Sequence, residues 1–121
     1  MSKTILVVDD SASVRSVVGK ALTDEGFTVI EACDGVDGLS KLNGQKVHLI
    51  VSDVNMPNMN GFTFVKEVKK LDRYKFTPVV MLTTEAGQTE KNAGKAAGAK
   101  AWMIKPFKPA QLLEAISKLV P

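Results

Sequence analysis

HLIVSDVNMPNMNG, residues 48–61, decides how the rest of the chain is read. Leu49-Ile50-Val51 has no polar alternation, which predicts a strand buried on both faces, as in a parallel sheet. The apolar run stops at Asp53. Met56-Pro57-Asn58 can extend neither a strand nor a helix, because proline lacks a donor and holds its neighbour extended. Asp53 is therefore expected at the carboxyl end of a buried strand, where open α/β sheets place their ligand chemistry. Strand ends carry many ordinary aspartates, so the case depends on what else reaches the same edge.

Working outward, Thr4 to Val8 is a β-branched run that ends at Asp9-Asp10. Val14, Val17, Val18, Ala21 and Leu22 then form an amphipathic stripe, with Ser11 or Ser13 as cap and Gly26 as stop. Phe27 to Glu31 reads as a more polar strand near the sheet edge. Asp34 caps a second helix carrying Val36, Leu39 and Leu42, stopped by Asn43-Gly44. After the central strand, Val47 to Ser52, Asn60 caps a third helix with Phe64, Val65, Val68 and Leu71 inward. Thr77 to Thr83 is a fourth strand, its proline at the start. Gly87 to Ala97 is expected to be a fourth helix with an alanine-rich inner face. Ala101 to Ile104 is a fifth strand that stops at Lys105-Pro106. Pro109 opens a fifth helix that buries Leu112, Leu113, Ile116 and Leu119. Five βα units with short connections imply a parallel sheet with helices on both faces.

The 121 residues amount to one domain, 1–121, and 45% hydrophobic with 24% charged residues is ordinary for a soluble globular protein. No run approaches a membrane span, and the N-terminus lacks a signal-peptide pattern, so the expected location is cytoplasmic. Cys33 is the sole cysteine, which excludes a disulfide framework, and it is expected as a small core or helix-edge residue. A net charge of +3 without an accompanying motif argues against nucleic acid as partner.

If strands 1, 3, 4 and 5 are neighbours, one edge receives Asp9, Asp10, Asp53, Thr83 and Lys105. Two carboxylates about 4 Å apart repel by roughly 4 kcal/mol at an effective dielectric near 20. A divalent cation such as Mg²⁺, with oxygen ligands, removes that repulsion. A carboxylate beside a metal, an ammonium and a hydroxyl suits the acceptance of a phosphoryl group.

The acidic pair in LVVDD, the aspartate in SDVNMPNMNG, the hydroxyl in MLTTE and the lysine in KPF together resemble the response-regulator receiver domains of two-component signalling. The resemblance covers the whole chain and is strongest to the single-domain chemotaxis regulators of the CheY type. It implies a flavodoxin-like (βα)5 fold, a doubly wound five-stranded parallel sheet of order 2-1-3-4-5. That order is known for CheY itself and so comes with the resemblance, not from the residues. It further implies that a histidine kinase phosphorylates Asp53, with Thr83 and Lys105 assisting. Asp10 and Asp53 would bind Mg²⁺ directly, Asp9 through water, and Asn55 through its main-chain carbonyl. A cis Lys105-Pro106 bond is also implied. Trp102 stands where the family usually has a tyrosine or another aromatic that changes rotamer, and Thr83 and Trp102 are the switch pair. Asn55 and Glu85, two residues beyond Asp53 and Thr83, would tune the lifetime of the phosphoryl group.

Output is expected by protein contact through the fourth helix, fifth strand and fifth helix. Lys91, Lys95, Lys100, Lys108 and Lys118 make that face basic. The target is a protein such as the flagellar motor switch, with a phosphatase as a further partner and the chain itself a monomer. On this reading it is not an enzyme beyond its own phosphorylation and dephosphorylation. A phosphate sink or relay outside chemotaxis is the alternative. A haloacid-dehalogenase-like phosphohydrolase would carry DxDxT after the first strand, where this chain has DDSAS. A flavodoxin-like ligand binder would need a phosphate cradle after that strand, and none is present.

Overall fold

A computed structural model describes residues 3–84, 95 and 97–120. Five strands, β1 (Thr4–Val8), β2 (Thr28–Ala32), β3 (Leu49–Asp53), β4 (Val79–Thr83) and β5 (Ala101–Ile104), form one parallel sheet in the order β2-β1-β3-β4-β5. This is the topology the resemblance implied. The described helices are α1 (Ala12–Asp24), α2 (Gly35–Lys41), α3 (Gly61–Lys69) and α4 (Pro109–Leu119). The helix expected over Gly87 to Ala97 lies outside the described residues, apart from Lys95 and a buried Ala97.

Strand alternation divides the core into two layers. Leu6, Val8, Ile50 and Met81 pack with Phe64, Val65 and Val68 of α3. Ile5, Val7, Leu49, Val51, Val80 and Leu82 pack with Val18 and Leu22 of α1 and Leu112 and Ile116 of α4. Successive side chains point to opposite faces of a strand, so an uninterrupted apolar run supplies both layers. β3 and β4, central in the sheet, are buried at every residue, while β2 at the edge is not.

The caps are largely those read from the sequence. Ser11 Oγ accepts from the Val14 amide, Asp34 from Asp37 and Asn60 from Thr63. Gly26 and Gly44 follow their helices with φ of +93° and +102°, a backbone region that costs glycine little.

Four expectations need correction. Val17 is 56% exposed, because the buried stripe of α1 runs along Val18, Gly19 and Leu22 and leaves Val17 on its margin. Val36 is exposed in the first turn of α2, a helix too short to turn it inward. Leu71 is partly exposed because α3 ends at Lys69. Cys33 is exposed in the β2–α2 turn, not in the core.

Candidate metal and phosphoacceptor site

The register brings the strand ends level. Val8 pairs with Ser52, Asp53 with Leu82, and Thr83 with Ile104. Asp9 and Asp10 therefore leave the sheet beside Asp53, and Lys105 leaves it beside Thr83. Asp9, Asp10 and Asp53 each offer a carboxylate oxygen within 4.8 Å of the others. Asp9 and Asp53 are only 1% and 6% exposed, whereas Asp10 is open to solvent.

Each buried carboxylate is held from several sides. Asp53 Oδ1 accepts from the Val54 amide at 2.8 Å and lies 3.3 Å from Lys105 Nζ. Asp9 accepts from the Ser11 amide through Oδ1 at 2.9 Å and from Lys105 Nζ through Oδ2 at 2.9 Å. Lys105 is placed by its own amide, which donates to the Thr83 carbonyl at 2.6 Å, and is followed by a cis bond to Pro106. Thr83 ends β4 fully buried at this level.

One ammonium among three carboxylates leaves the site short of positive charge. Burial and the neighbouring Asp9 charge push the Asp53 carboxyl up to about 6, against the pull of Lys105 and the Val54 amide. For Lys105, burial acts to lower the ammonium pKa. The hydrogen bond and charge of Asp9, with Asp53 behind them, outweigh burial and raise it. Lys105 stays protonated at neutral pH, and Asp53 ionises only against opposition.

The loop after β3 is fixed at both ends. The Gly61 amide donates to the Val54 carbonyl at 2.7 Å. A Cβ at Gly61 would run into the Asp53 carbonyl oxygen and Val54 Cα, so only glycine allows this approach. Asn58, at φ 67°, donates from its side chain to Asp34 Oδ2 at 2.8 Å. Asn55 lies exposed between these ties.

Of the residues singled out in the sequence, the structure gathers Asp9, Asp10, Asp53 and Lys105, with Thr83 at the same edge. Glu85 and Lys91 lie outside the described residues. Trp102 does not join the cluster. It pairs in register with Met81 and stacks on Phe62 of α3, ring centroids 6.1 Å apart and 11° from parallel. Its indole N–H is buried without a hydrogen-bond partner among the described residues.

Sequence reasoning missed Arg15 and the Asp34–Asn58 tie. Arg15 donates to the Asp9 carbonyl and pairs with Glu31 at 3.3 Å. An arginine off the apolar stripe of a helix gives no signal of this contact. Asn58 did give one, since asparagine after proline in a loop tolerates the left-handed region.

Residues 5–117 match the profile of the response regulator receiver domain, and the chain belongs to that family. It is similar to the chemotaxis protein CheY4 of Vibrio cholerae, 45% identical, with a TM-score of 0.94 over 98% of this chain and 99% of that one. It is 38% identical over 112 residues to the chemotaxis protein CheY1 of Helicobacter pylori, covering 91% of this chain and 90% of the relative. The receiver domain of a Pseudomonas aeruginosa sensor histidine kinase, solved with magnesium coordinated in its active-site cleft, has a TM-score of 0.91. Its coverage is 99% of this chain and 98% of its own, but at 24% identity it shows the fold alone. Among the described residues no helix is long and apolar enough to cross a membrane.

Proposed function

We propose that the chain is a phosphorylation-driven protein switch of the chemotaxis type, with Asp53 as phosphoacceptor. The carrying observation is the cluster of Asp9, Asp10 and Asp53 at the carboxyl edge of the sheet, with Lys105 paired to Asp9 and to Asp53. Such a site is uncomfortable without a cation and apt for a group that arrives with one.

A carboxylate oxygen of Asp53 attacks the phosphorus of a phosphohistidine on the donor kinase. The P–N bond breaks, its electron pair stays with the imidazole, and an acyl phosphate remains on Asp53. The reaction is the domain's own, so the protein is a signalling partner, not an enzyme acting on free substrates. The donor set of carboxylates, with a loop carbonyl at Asn55 close in sequence, fits Mg²⁺, which prefers oxygen ligands and keeps water or phosphate oxygens in its remaining positions. Asp10 and Asp53 would hold it directly and Asp9 through water. When bound, the ion supplies positive charge for the phosphoryl oxygens and lowers carboxylate repulsion. Lys105, already aimed at Asp53, can turn to a phosphoryl oxygen. The Thr83 hydroxyl can approach from β4, and the switch resets when water attacks the phosphorus past exposed Asn55: the bond between phosphorus and the acyl oxygen breaks, the Asp53 carboxylate is restored and inorganic phosphate leaves.

The signal then leaves through β5 and α4, with the helix that the sequence leads one to expect over residues 87–97 as the third part of the output face. Trp102 is the reporter of that face. Its buried N–H has no acceptor among the described residues, and a group left so costs about 1–3 kcal/mol, which favours a second ring position in which the N–H is satisfied. Exposed Lys95, Lys100, Lys108 and Lys118 suit an acidic target such as a motor-switch protein. The cytoplasm, where kinase and motor switch meet, is the fitting location.

The deciding experiment is incubation with acetyl phosphate and Mg²⁺. A switch accumulates a transient phosphoprotein and turns over small phosphate esters poorly. Sustained hydrolysis of such esters without a phosphoprotein would favour a phosphohydrolase instead.

A further inference from the structure

At the opposite edge of the sheet lies a second concave site. A cavity of about 420 Å³ opens between the chain entering β3 and the loop entering β4. Its rims carry Lys46 and His48 on one side and Arg73 and Phe76 on the other, and among the described residues no carboxylate lines it. Lys46 and Arg73 are exposed, and Phe76 is 87% exposed with Lys75 Nζ 5.3 Å from its ring centroid. The one acid in this turn is Asp72, itself 3.9 Å from Lys75.

The two rims are tied together beneath the opening. Buried Tyr74 accepts from the Gly44 amide at 2.9 Å and donates to the Gln45 carbonyl at 2.7 Å. The turn itself is closed by the Thr77 amide donating to the Tyr74 carbonyl at 2.9 Å, and Lys69 Nζ donates to the Thr77 carbonyl at 2.6 Å. His48 Nδ1 accepts from the Thr4 amide at 2.9 Å, so a neutral His48 carries its proton on Nε2 and has a donor left for a ligand. A single exposed phenylalanine is ordinary on a protein surface. This one stands on a pre-formed concavity whose charged side chains, Lys46 and Arg73, are both basic, and pre-organisation of that kind reduces the ordering penalty of binding.

We propose that this edge is a docking site for an acidic segment of a partner protein that carries an aromatic side chain. The carboxylates meet Lys46, Arg73 and Lys75, and the aromatic ring enters the cavity against Phe76. Concavity favours a side chain over a flat lipid surface. Five-residue strands of roughly 3.3 Å rise per residue separate this edge from Asp53, so docking is independent of phosphorylation and distinct from the face around Trp102.

The test titrates the ¹⁵N-labelled full chain with a synthetic peptide of alternating glutamate and aspartate around one central phenylalanine. A matched peptide with central serine and anionic lipid vesicles are run alongside. Amide shifts should gather at residues 46–48 and 73–76, weaken with added salt, and remain when beryllofluoride and Mg²⁺ are present. Arg73→Glu and Phe76→Ala, both at exposed positions, should each weaken binding about tenfold or more. Shifts centred on Lys95, Lys100 and Lys108, equal binding of the serine peptide, or binding of vesicles without the peptide would overturn the assignment.

Discussion

Replacing Asp53 with asparagine should make the metal-free protein more stable at neutral pH, although the change removes the group the function requires. In the folded chain the Asp53 carboxyl is pushed from 3.8 to about 6 by burial and by Asp9. A group whose folded pKa is raised binds more protons in the folded state than in the unfolded one across that window. Stability is therefore lost as pH climbs from about 4 to about 6, and the full penalty applies above it. Roughly two pKa units at about 1.4 kcal/mol each set an upper bound near 3 kcal/mol. The attraction to Lys105 and the bond from the Val54 amide are already contained in that shift, and an amide replaces a protonated carboxyl imperfectly, so a net gain of about 1–2 kcal/mol is expected. For a domain of this size that corresponds to a rise of at least about 3 °C in melting temperature. The assay is thermal and urea unfolding in EDTA at pH 7.5 and pH 4, wild type against Asp53→Asn. The gain should be present at pH 7.5 and nearly absent at pH 4. A loss of stability at pH 7.5, or an equal gain at both pH values, would refute the charge argument.

Mg²⁺ should stabilise the wild type at pH 7.5 by about 1.4 kcal/mol at ten times the dissociation constant, read as a rise in melting temperature, and Asp10→Ala should abolish that rise. Its affinity, followed by the same melts or by titration calorimetry, should fall as pH drops through about 6, since protons compete for Asp53. Gly61→Ala should destabilise by more than about 3 kcal/mol in urea unfolding, because the new Cβ meets the Asp53 carbonyl oxygen and backbone cannot step aside as a flexible side chain would. Beryllofluoride with Mg²⁺ should shift the emission of Trp102, the only tryptophan, and Thr83→Ala should weaken the shift. An unchanged spectrum with proven beryllofluoride binding would remove Trp102 from the output route.

β1, β3, β4 and β5 were legible because each is an apolar run ended by a charged or polar residue, and the chemistry sits at those ends. Asp9, Asp53 and Lys105 could thus be assigned to one edge before their distances were known. Strand order was not legible from the residues. The polar character of Phe27 to Glu31 pointed β2 toward an edge, but nothing in it says which strand it borders, and the order came from the resemblance. Helix faces were legible only where the helix is long enough to impose its period. In α4, Leu112 and Ile116 are buried as read, whereas Val36 sits in a seven-residue helix and Leu71 beyond a helix end. Contacts made by side chains to distant backbone, such as Arg15 to the Asp9 carbonyl, follow from tertiary placement and leave no local pattern. Trp102 was singled out for its type, but its stacking on Phe62 depends on the approach of α3 to β5 and could not be read from either segment.

The most direct test of the account is where the phosphoryl group goes. After incubation with acetyl phosphate and Mg²⁺, intact-mass measurement should show one added phosphoryl group that hydroxylamine removes. Peptide mapping should place it on Asp53, and Asp53→Asn should show none. A modification of undiminished extent in Asp53→Asn, or one mapped to a serine, threonine or histidine, would contradict the assignment of Asp53 as phosphoacceptor.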